Sequence, residues 1–474
     1  MKKIITITAM LFLGYSAFAQ TQDPKGGITP EQLLEISKGY QGTPSDKAIH
    51  NALNAELISV LAVNAENSVK VDRHFSNVVA TKGRTNQKSS GRCWLFTGLN
   101  VIRAKMIAEH NLGAFTFSQN YLFFYDQLEK SNLFLQGIID TRNLADDDRQ
   151  VNWLFSHPVG DGGQFTGVAN LITKYGVVPS DVMPETLHAN NTASMRTQLL
   201  LVLREAGLRI RQAWAAASSK ERKNGKAVEK LTEIKINALK DVYHILGLCL
   251  GVPPVEFTWA RYDASGKFVS EKTYTPKSFY DEFVGRDLEN NYVMVMNDPC
   301  REYYKTYEIQ YDRHVYEGQN WVYVNLPMDK IKEMAIASIK DNTSIYYSCD
   351  VNKYLIRKDG IADLNNYDYE SLLGVKQGMN KQERIYTHAS SSSHAMNLIG
   401  VDLKDGVPVK WMVENSWGPD SGYKGNIIMT DEWFNEYTFR LVIEKKYVPE
   451  DVQKLLKLKP IQLPSWDPMF LPEE

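Results

Sequence analysis

The sequence predicts an α+β protein: a helix-rich half, a large helical insertion, then a strand-rich half. Three observations predict it. Leu95, Leu99, Ile102 and Met106 recur at helical spacing early in the chain. Helical patterns also fill residues 193–217 and 229–250, where Leu231, Ile234, Ala238, Val242 and Ile245 mark one face. From about residue 344 onward, strand-like apolar runs such as those after His394 and Trp411 dominate. With 43% hydrophobic residues, 25 Tyr, 18 Phe and 9 Trp, the chain carries enough apolar surface for a sizeable core.

In chain order, Lys2 and Lys3 precede an apolar stretch from Ile4 to Phe18, and Ala17-Phe18-Ala19 stands before Gln20. A charged start, a short apolar run and a small-x-small site predict a signal peptide over residues 1–19 and an exported protein, periplasmic or extracellular. The run is shorter than the roughly 20 apolar residues of a membrane span. No Cys follows the cleavage site, so no lipid anchor is expected, and no later segment reads as a transmembrane helix. Residues 20–84 are polar and mixed, and read as an arm packing on the main body. Residues 85–190 form the helical half. Residues 191–343 read as the insertion, helical then strand-rich with Tyr-rich stretches at 304–311 and 321–326. Residues 344–460 form the strand-rich half, and residues 461–474 a tail.

Loss of Lys2 and Lys3 leaves 52 basic against 56 acidic residues, a net of about −4. So balanced a chain has no global pull toward nucleic acid or anionic membrane. Residues 219–240, rich in Lys and Arg, read as a solvated helix face. Cys93, Cys249, Cys300 and Cys349 are too few and too scattered for a disulfide framework, and their spacing matches no zinc site. A Cys300–Cys349 bridge is conceivable, but buried thiols are the expectation.

Cys93 is the residue that carries chemistry. It stands where the helical pattern begins, and the positive end of a helix lowers a thiol pKa. A thiolate nucleophile needs a base, and the base an orienting group. His394 leads the apolar run His394-Ala395-Met396-Asn397-Leu398-Ile399-Gly400-Val401. Asn415 lies in Val413-Glu414-Asn415-Ser416-Trp417-Gly418. Asn holds an imidazole without taking charge, which leaves a thiolate–imidazolium pair as the expected resting form. Gln87, six residues before Cys93, is placed to offer its amide to an oxyanion beside the Cys93 N–H. His388 competes with His394 for the role of base. Asp161 and Asp350 read as structural.

The run from Gln87 to Phe96, Gln-x-x-Ser-Gly-Arg-Cys-Trp-x-Phe, resembles the bleomycin hydrolase (aminopeptidase C) branch of the papain superfamily. Ordinary papain-like enzymes carry a disulfide Cys where this chain has Ser90. The resemblance continues through Asp161-Gly162-Gly163-Gln164, Lys174-Tyr175-Gly176-Val177-Val178-Pro179, Tyr323-Val324-Asn325-Leu326-Pro327 and Cys349-Asp350-Val351, and reaches Leu463-Pro464-Ser465-Trp466-Asp467-Pro468-Met469. It implies a papain-like cysteine peptidase fold, with a helical half and a β-barrel-like half. Cys93 and His394 are 301 residues apart. Plain papain-like enzymes separate them by about 130–150 residues, hence the insertion.

The resemblance favours His394 over His388, because only His394 has the family's following Ala and Gly-Val. It gives Gly162 and Gly163 to the substrate backbone; Trp417, two residues after Asn415, is placed to shield the His–Asn bond or to pack in the core, and is counted with Gly162, Gly163 and Glu474 among the substrate-binding candidates. It puts the tail in the active-site cleft, where the Glu474 carboxylate would meet a substrate's free amine. Phe470, Glu473 and Glu474 depart from the family's small apolar tail. It also implies a homohexamer acting on peptide substrates with no cofactor or metal. The expected function is a cysteine aminopeptidase working through a Cys-His-Asn triad and an acyl-enzyme. An endopeptidase of the same chemistry and a non-catalytic binding or structural assembly are the alternatives.

Overall fold

A computed structural model gives the structure of residues 26–67 and 72–470. The leader at 1–19 and the last residues of the tail, Glu474 among them, lie outside the described residues. The chain divides into two units.

The first unit runs to Val63 and takes in residues 369–374. It holds α1 (Pro30–Ser37), α2 (Pro44–Leu53) and α3 (Ile58–Leu61). Thr29 and Thr43 start α1 and α2 by accepting the N–H of Gln32 and Asp46, whose side chains bond back. A proline follows each cap, where its missing N–H costs nothing. No residue of these three helices is buried.

The second unit holds the rest. Residues 64–84, read with the arm, contain β1 (Asn77–Val78), which pairs in this unit with Val401 and Gly400. The helical layer follows: α4 (Cys93–Glu109), α5 (Gln119–Asp140), α6 (Arg149–Ser156), α7 (Phe165–Tyr175) and α8 (Leu187–Asn190). Then come α9 (Ala193–Ala216), α10 (Ser219–Lys223) and α11 (Lys226–Leu250), with the chain breaking at Ala217 and Ser218. α9 and α11 pack on each other and both on α5. Met195, Leu199, Leu203, Leu231, Val242 and Leu246 bury their apolar stripes in one core with α4 and α7.

Beyond the hairpin β2 (Phe257–Tyr262) and β3 (Phe268–Tyr274) lie α12 (Pro276–Phe283), β4 (Tyr292–Met296), β5 (Lys305–Ile309), β6 (Val322–Asn325) and α13 (Met328–Lys340). The remaining elements are β7 (Ile345–Cys349), β8 (Leu355–Ile356), β9 (Ile361–Ala362), α14 (Tyr369–Leu373, part of the first unit), α15 (Lys381–Tyr386), β10 (His394–Lys404), β11 (Val407–Glu414), β12 (Asn426–Thr430), α16 (Asp431–Tyr437), β13 (Thr438–Glu444), α17 (Glu450–Leu455) and β14 (Ile461–Leu463).

Twelve strands form one sheet in the order β14-β5-β6-β4-β13-β7-β10-β11-β12-β9-β8, with β1 beside β10. Sequence reading placed β4, β5 and β6 in the insertion, apart from the strand-rich half. The structure joins them to it, because β13 takes β4 on one edge and β7 on the other. The sheet's central strands are near-continuous apolar runs, buried on both faces. The side with α4 forms one core, and the side with α13 and α16 a second.

Candidate active site

Cys93 is the first residue of α4 and is wholly buried. The loop before it is held by polar contacts. The Gly91 N–H donates to Asp161 Oδ2 (3.2 Å), and Trp94 Nε1 to the Asp161 carbonyl (2.7 Å). Arg92, also fully buried, makes a bidentate pair with Glu185 (3.1 and 2.7 Å) and donates to Ser90 Oγ (3.0 Å). Bidentate Arg–carboxylate pairs fix geometry as well as charge. Ser90, where a disulfide Cys stands in ordinary papain-like enzymes, is thus tied into a hydrogen-bonded anchor. The same Asp161 Oδ2 also accepts from the Thr192 hydroxyl, which ties the loop to the start of α9.

The packing of α4 against β10 brings the distant segments together. Cys93 and Ala395 lie in the same buried cluster. His394 opens β10, and its Nε2 is 2.9 Å from Asn415 Oδ1. That Oδ1 also accepts the Ser416 N–H (2.7 Å), which sets the amide orientation. Nε2 must therefore carry the proton, and Nδ1 remains for other work. The Trp417 ring tilts over His394 with centroids 5.0 Å apart, and Arg357 stacks on the same indole at 4.5 Å. Burial pushes the His394 pKa down to about 4, and Arg357 adds to this; the Asn415 bond opposes it. The imidazolium is therefore stable only beside an anion.

Gln87 reaches the same place from the other side. Its N–H donates to the Ser416 carbonyl (2.8 Å), and the Gly418 N–H to the Thr85 carbonyl (3.0 Å). Its side-chain Oε1 accepts from the Ser416 hydroxyl (2.6 Å), and Nε2 donates to the Ser90 carbonyl (2.7 Å). An amide has two N–H donors, so one is left for an oxyanion. His388 is exposed, in the left-handed region (φ 60°), at the end of α15. The Ser390 hydroxyl bonds Asp350 Oδ2 (2.8 Å) and pins the loop between the two histidines.

Gly162 and Gly163 line a cleft of about 540 Å³, whose wall also carries Trp153, His157, Arg196, His388 and Trp466. Cys93, His394 and Asn415 do not line it. A side chain at Gly163 would run into the His314 ring and come within 2.8 Å of Trp94. This glycine is therefore required by packing, a reason the sequence did not offer. Glu474, the remaining candidate, lies outside the described residues.

Several residues around the site were missed. Lys130 Nζ donates to the carbonyls of Gly160 (3.0 Å) and Gly162 (2.6 Å) and to Asp126 Oδ2 (2.8 Å). Asp126 Oδ1 accepts from His314 Nδ1 (2.6 Å). Arg103 of α4 pairs with Glu414, the neighbour of Asn415, at 3.0 Å. The only sequence signal was the i, i+4 spacing of Asp126 and Lys130. Of the cysteines, none is in a disulfide. Cys300 is exposed rather than buried, with its Sγ on the Gln382 carbonyl (3.4 Å). Among the described residues no group of His, Cys, Asp and Glu could hold a metal ion, and no helix is long and apolar enough to cross a membrane.

The model of the Peptidase C1-like family matches residues 27–470. Human bleomycin hydrolase is 38% identical over 455 residues, covering 94% of this chain and 98% of its own. Aminopeptidase C of Lactobacillus delbrueckii subsp. lactis is 36% identical, covering 93% and 98%. The crystal structure of PepW from Lactobacillus rhamnosis HN001 superposes with a TM-score of 0.89 at 34% identity, covering 94% of this chain and all of that one.

Proposed function

The chain belongs to the Peptidase C1-like family and is a cysteine peptidase; on that premise we propose that it is an aminopeptidase, releasing N-terminal residues from peptides through a thioester acyl-enzyme. The observation that carries the reading is the His394–Asn415 hydrogen bond, set beneath Trp417 on the strand that packs against the Cys93 helix.

The Cys93 sulfur loses its proton to His394 Nδ1, the ring nitrogen not bonded to Asn415. The thiolate and imidazolium then neutralise each other in a site too dry for either alone. The sulfur attacks the scissile carbonyl carbon. The Cys93 N–H and the spare Gln87 N–H hold the oxyanion. His394 gives its proton to the leaving amine, and the thioester remains. Water then loses a proton to His394 and attacks the thioester, which frees the N-terminal residue as its acid and restores the thiol.

Relatives named aminopeptidase and bleomycin hydrolase favour removal of single N-terminal residues. In the proposed complex the tail's α-carboxylate and the Glu473 and Glu474 side chains receive the substrate's ammonium group. An acetylated amine would leave that negative charge unpaired, at a cost of about 1–3 kcal/mol in a dry site. The test is kcat/KM for one peptide with a free and with an acetylated N-terminus, in the full-length enzyme and after deletion of residues 470–474. The free peptide is expected to be preferred by tenfold or more, and the deletion to erase the preference. A ratio near one in the full-length enzyme makes it an endopeptidase of the same chemistry.

Two further parts of the proposal concern the whole protein. It is exported after cleavage before Gln20, which N-terminal sequencing of the native protein checks; an intact Met1 refutes it. It assembles as a homohexamer, supported by the unburied apolar residues of α1.

A further inference from the structure

Beneath the segment 160–163 lies a charged cluster that the proposed mechanism does not use. Asp126 and His314 are buried, and Lys130 is nearly so. The three come from distant places: Asp126 and Lys130 from successive turns of α5, His314 from the loop after β5. Burying an ion pair is expensive unless every donor and acceptor is used. Here they are. The carboxylate divides its oxygens, Oδ1 to His314 and Oδ2 to Lys130 and Gln127 Nε2 (3.0 Å). The ammonium spends its three protons on that oxygen and on the carbonyls of Gly160 and Gly162. Gln127 Nε2 adds a second donor to Gly160 (3.0 Å). Desolvation would raise the Asp126 pKa, but Lys130 and His314 outweigh it and hold it below the ordinary value.

The consequence is a peptide segment fixed on three sides. Carbonyls 160 and 162 point to Lys130, and carbonyl 161 to Trp94 Nε1. His314 and Trp94, ring against ring at 4.7 Å, fill the space behind Gly163. Trp94 follows Cys93, so the same side chains register this segment against the nucleophile's helix. The two bonds that satisfy the buried ammonium also fix the orientation of carbonyls 160 and 162.

We propose that Lys130, held by the Asp126–His314 pair, is a positioning residue that fixes the backbone of residues 160–163 to receive an extended peptide substrate. The inference rests on the reading of Gly162 and Gly163 as substrate-binding and of Cys93 as nucleophile. It assigns Lys130 a share of substrate affinity and none of the bond chemistry.

The test compares the wild type with Lys130→Met, Lys130→Arg and the double variant Asp126→Asn/Lys130→Met, which leaves no buried charge unpaired. Each is assayed for kcat and KM on a free-amine peptide, for the rate of Cys93 alkylation by iodoacetamide, and for Tm. Iodoacetamide needs the thiolate but not the peptide-binding segment. The expected result is a tenfold or larger rise in KM for Lys130→Met and for the double variant, with kcat and the alkylation rate within about twofold of wild type. Lys130→Arg, which keeps charge and donors, should restore most of the affinity. Unchanged KM in the folded double variant overturns the proposal and leaves the cysteine-peptidase reading intact. A fall in kcat and alkylation rate that tracks Tm, with KM unmoved, also overturns it, since the cluster then serves the fold alone. Wild-type turnover that survives alkylation of Cys93 overturns the underlying reading and this proposal with it.

Discussion

His394 is buried in a site that disfavours its charge, and this has a measurable consequence at the scale of single residues. In the native protein burial drives the ring pKa down to about 4, against 6.5 in the unfolded chain. The folded state thus prefers the neutral ring. Above pH 6.5 the ring is neutral in both states and stability is unaffected. As pH falls from 6.5 to 4 the unfolded chain takes up a proton that the folded one refuses, and stability is lost. The loss reaches about 3 kcal/mol below pH 4. Cys93→Ala, which removes the anion that would shelter an imidazolium, should show this loss as a falling Tm across that window. His394→Gln in the same background should flatten it. Cys93→Ala should also abolish turnover, and His394→Ala nearly so, because members of such a constellation act as a unit. Changes at Cys249, Cys300 or Cys349 should leave turnover largely intact; loss of activity in one of these, with Cys93→Ala active, would sink the assignment. Cys93, His394, Asn415 and Gln87 were readable because each sits in a local run that resembles a family motif. Lys130, Asp126 and His314 were not. His314 lies 188 residues from its carboxylate, and no local pattern marks such a pair.

At the scale of elements, the start of the nucleophile's helix depends on how closely α4 can approach α7. Gly98 allows that approach: a Cβ there would stand 2.6 Å from Val168 Cγ2 and 2.8 Å from Cγ1. Both residues are buried. Gly98→Ala therefore forces the helices apart or the valine off its rotamer, at about 1–3 kcal/mol. The expected outcome is a lowered Tm and reduced kcat, because the shift is carried along α4 to Cys93. Val168→Ala should recover part of the loss in the double variant, a non-additivity that contact requires. Simple additivity of the two changes would mean that the helices do not meet there. Helices α4, α9 and α11 were legible in the sequence because helical periodicity is local and their stripes are long. Strands β5 and β6 were legible from their Tyr-rich alternation. Their membership of the His394 sheet was not. It depends on β4 pairing with β13, whose partners Val295 and Leu441 are far apart in sequence. Nor could pattern tell that residues 64–84 contribute β1 to the main unit, since two residues of strand carry no period.

At the scale of the whole molecule, the first unit poses a question of partners. α1 is capped and proline-started like a stable helix, yet it buries nothing. Leu33 and Ile36, three residues apart on one face, are 58% and 59% exposed, and Tyr40, just past the end of the helix, is 64% exposed. An amphipathic helix gains most of its stability from burying that face, so a helix of 8 residues with its apolar stripe in water would be marginal alone. Exposed apolar patches of this kind mark surfaces that another chain covers. The proposed homohexamer supplies the cover, with copies of the chain as the partners. Sedimentation of the purified protein should give a mass near six times that of one chain. Leu33→Asp with Ile36→Asp should release smaller species, since each buried aspartate would have to shed its water without a partner. The Cys93 site lies in the second unit, so the dissociated protein should still be alkylated at Cys93 by iodoacetamide. Peptide turnover per site then separates two roles for assembly. Unchanged turnover means that assembly governs only access to the site, whereas lost turnover means that the site needs its neighbours. A wild-type protein that sediments as one chain at micromolar concentration removes α1 from any role in assembly.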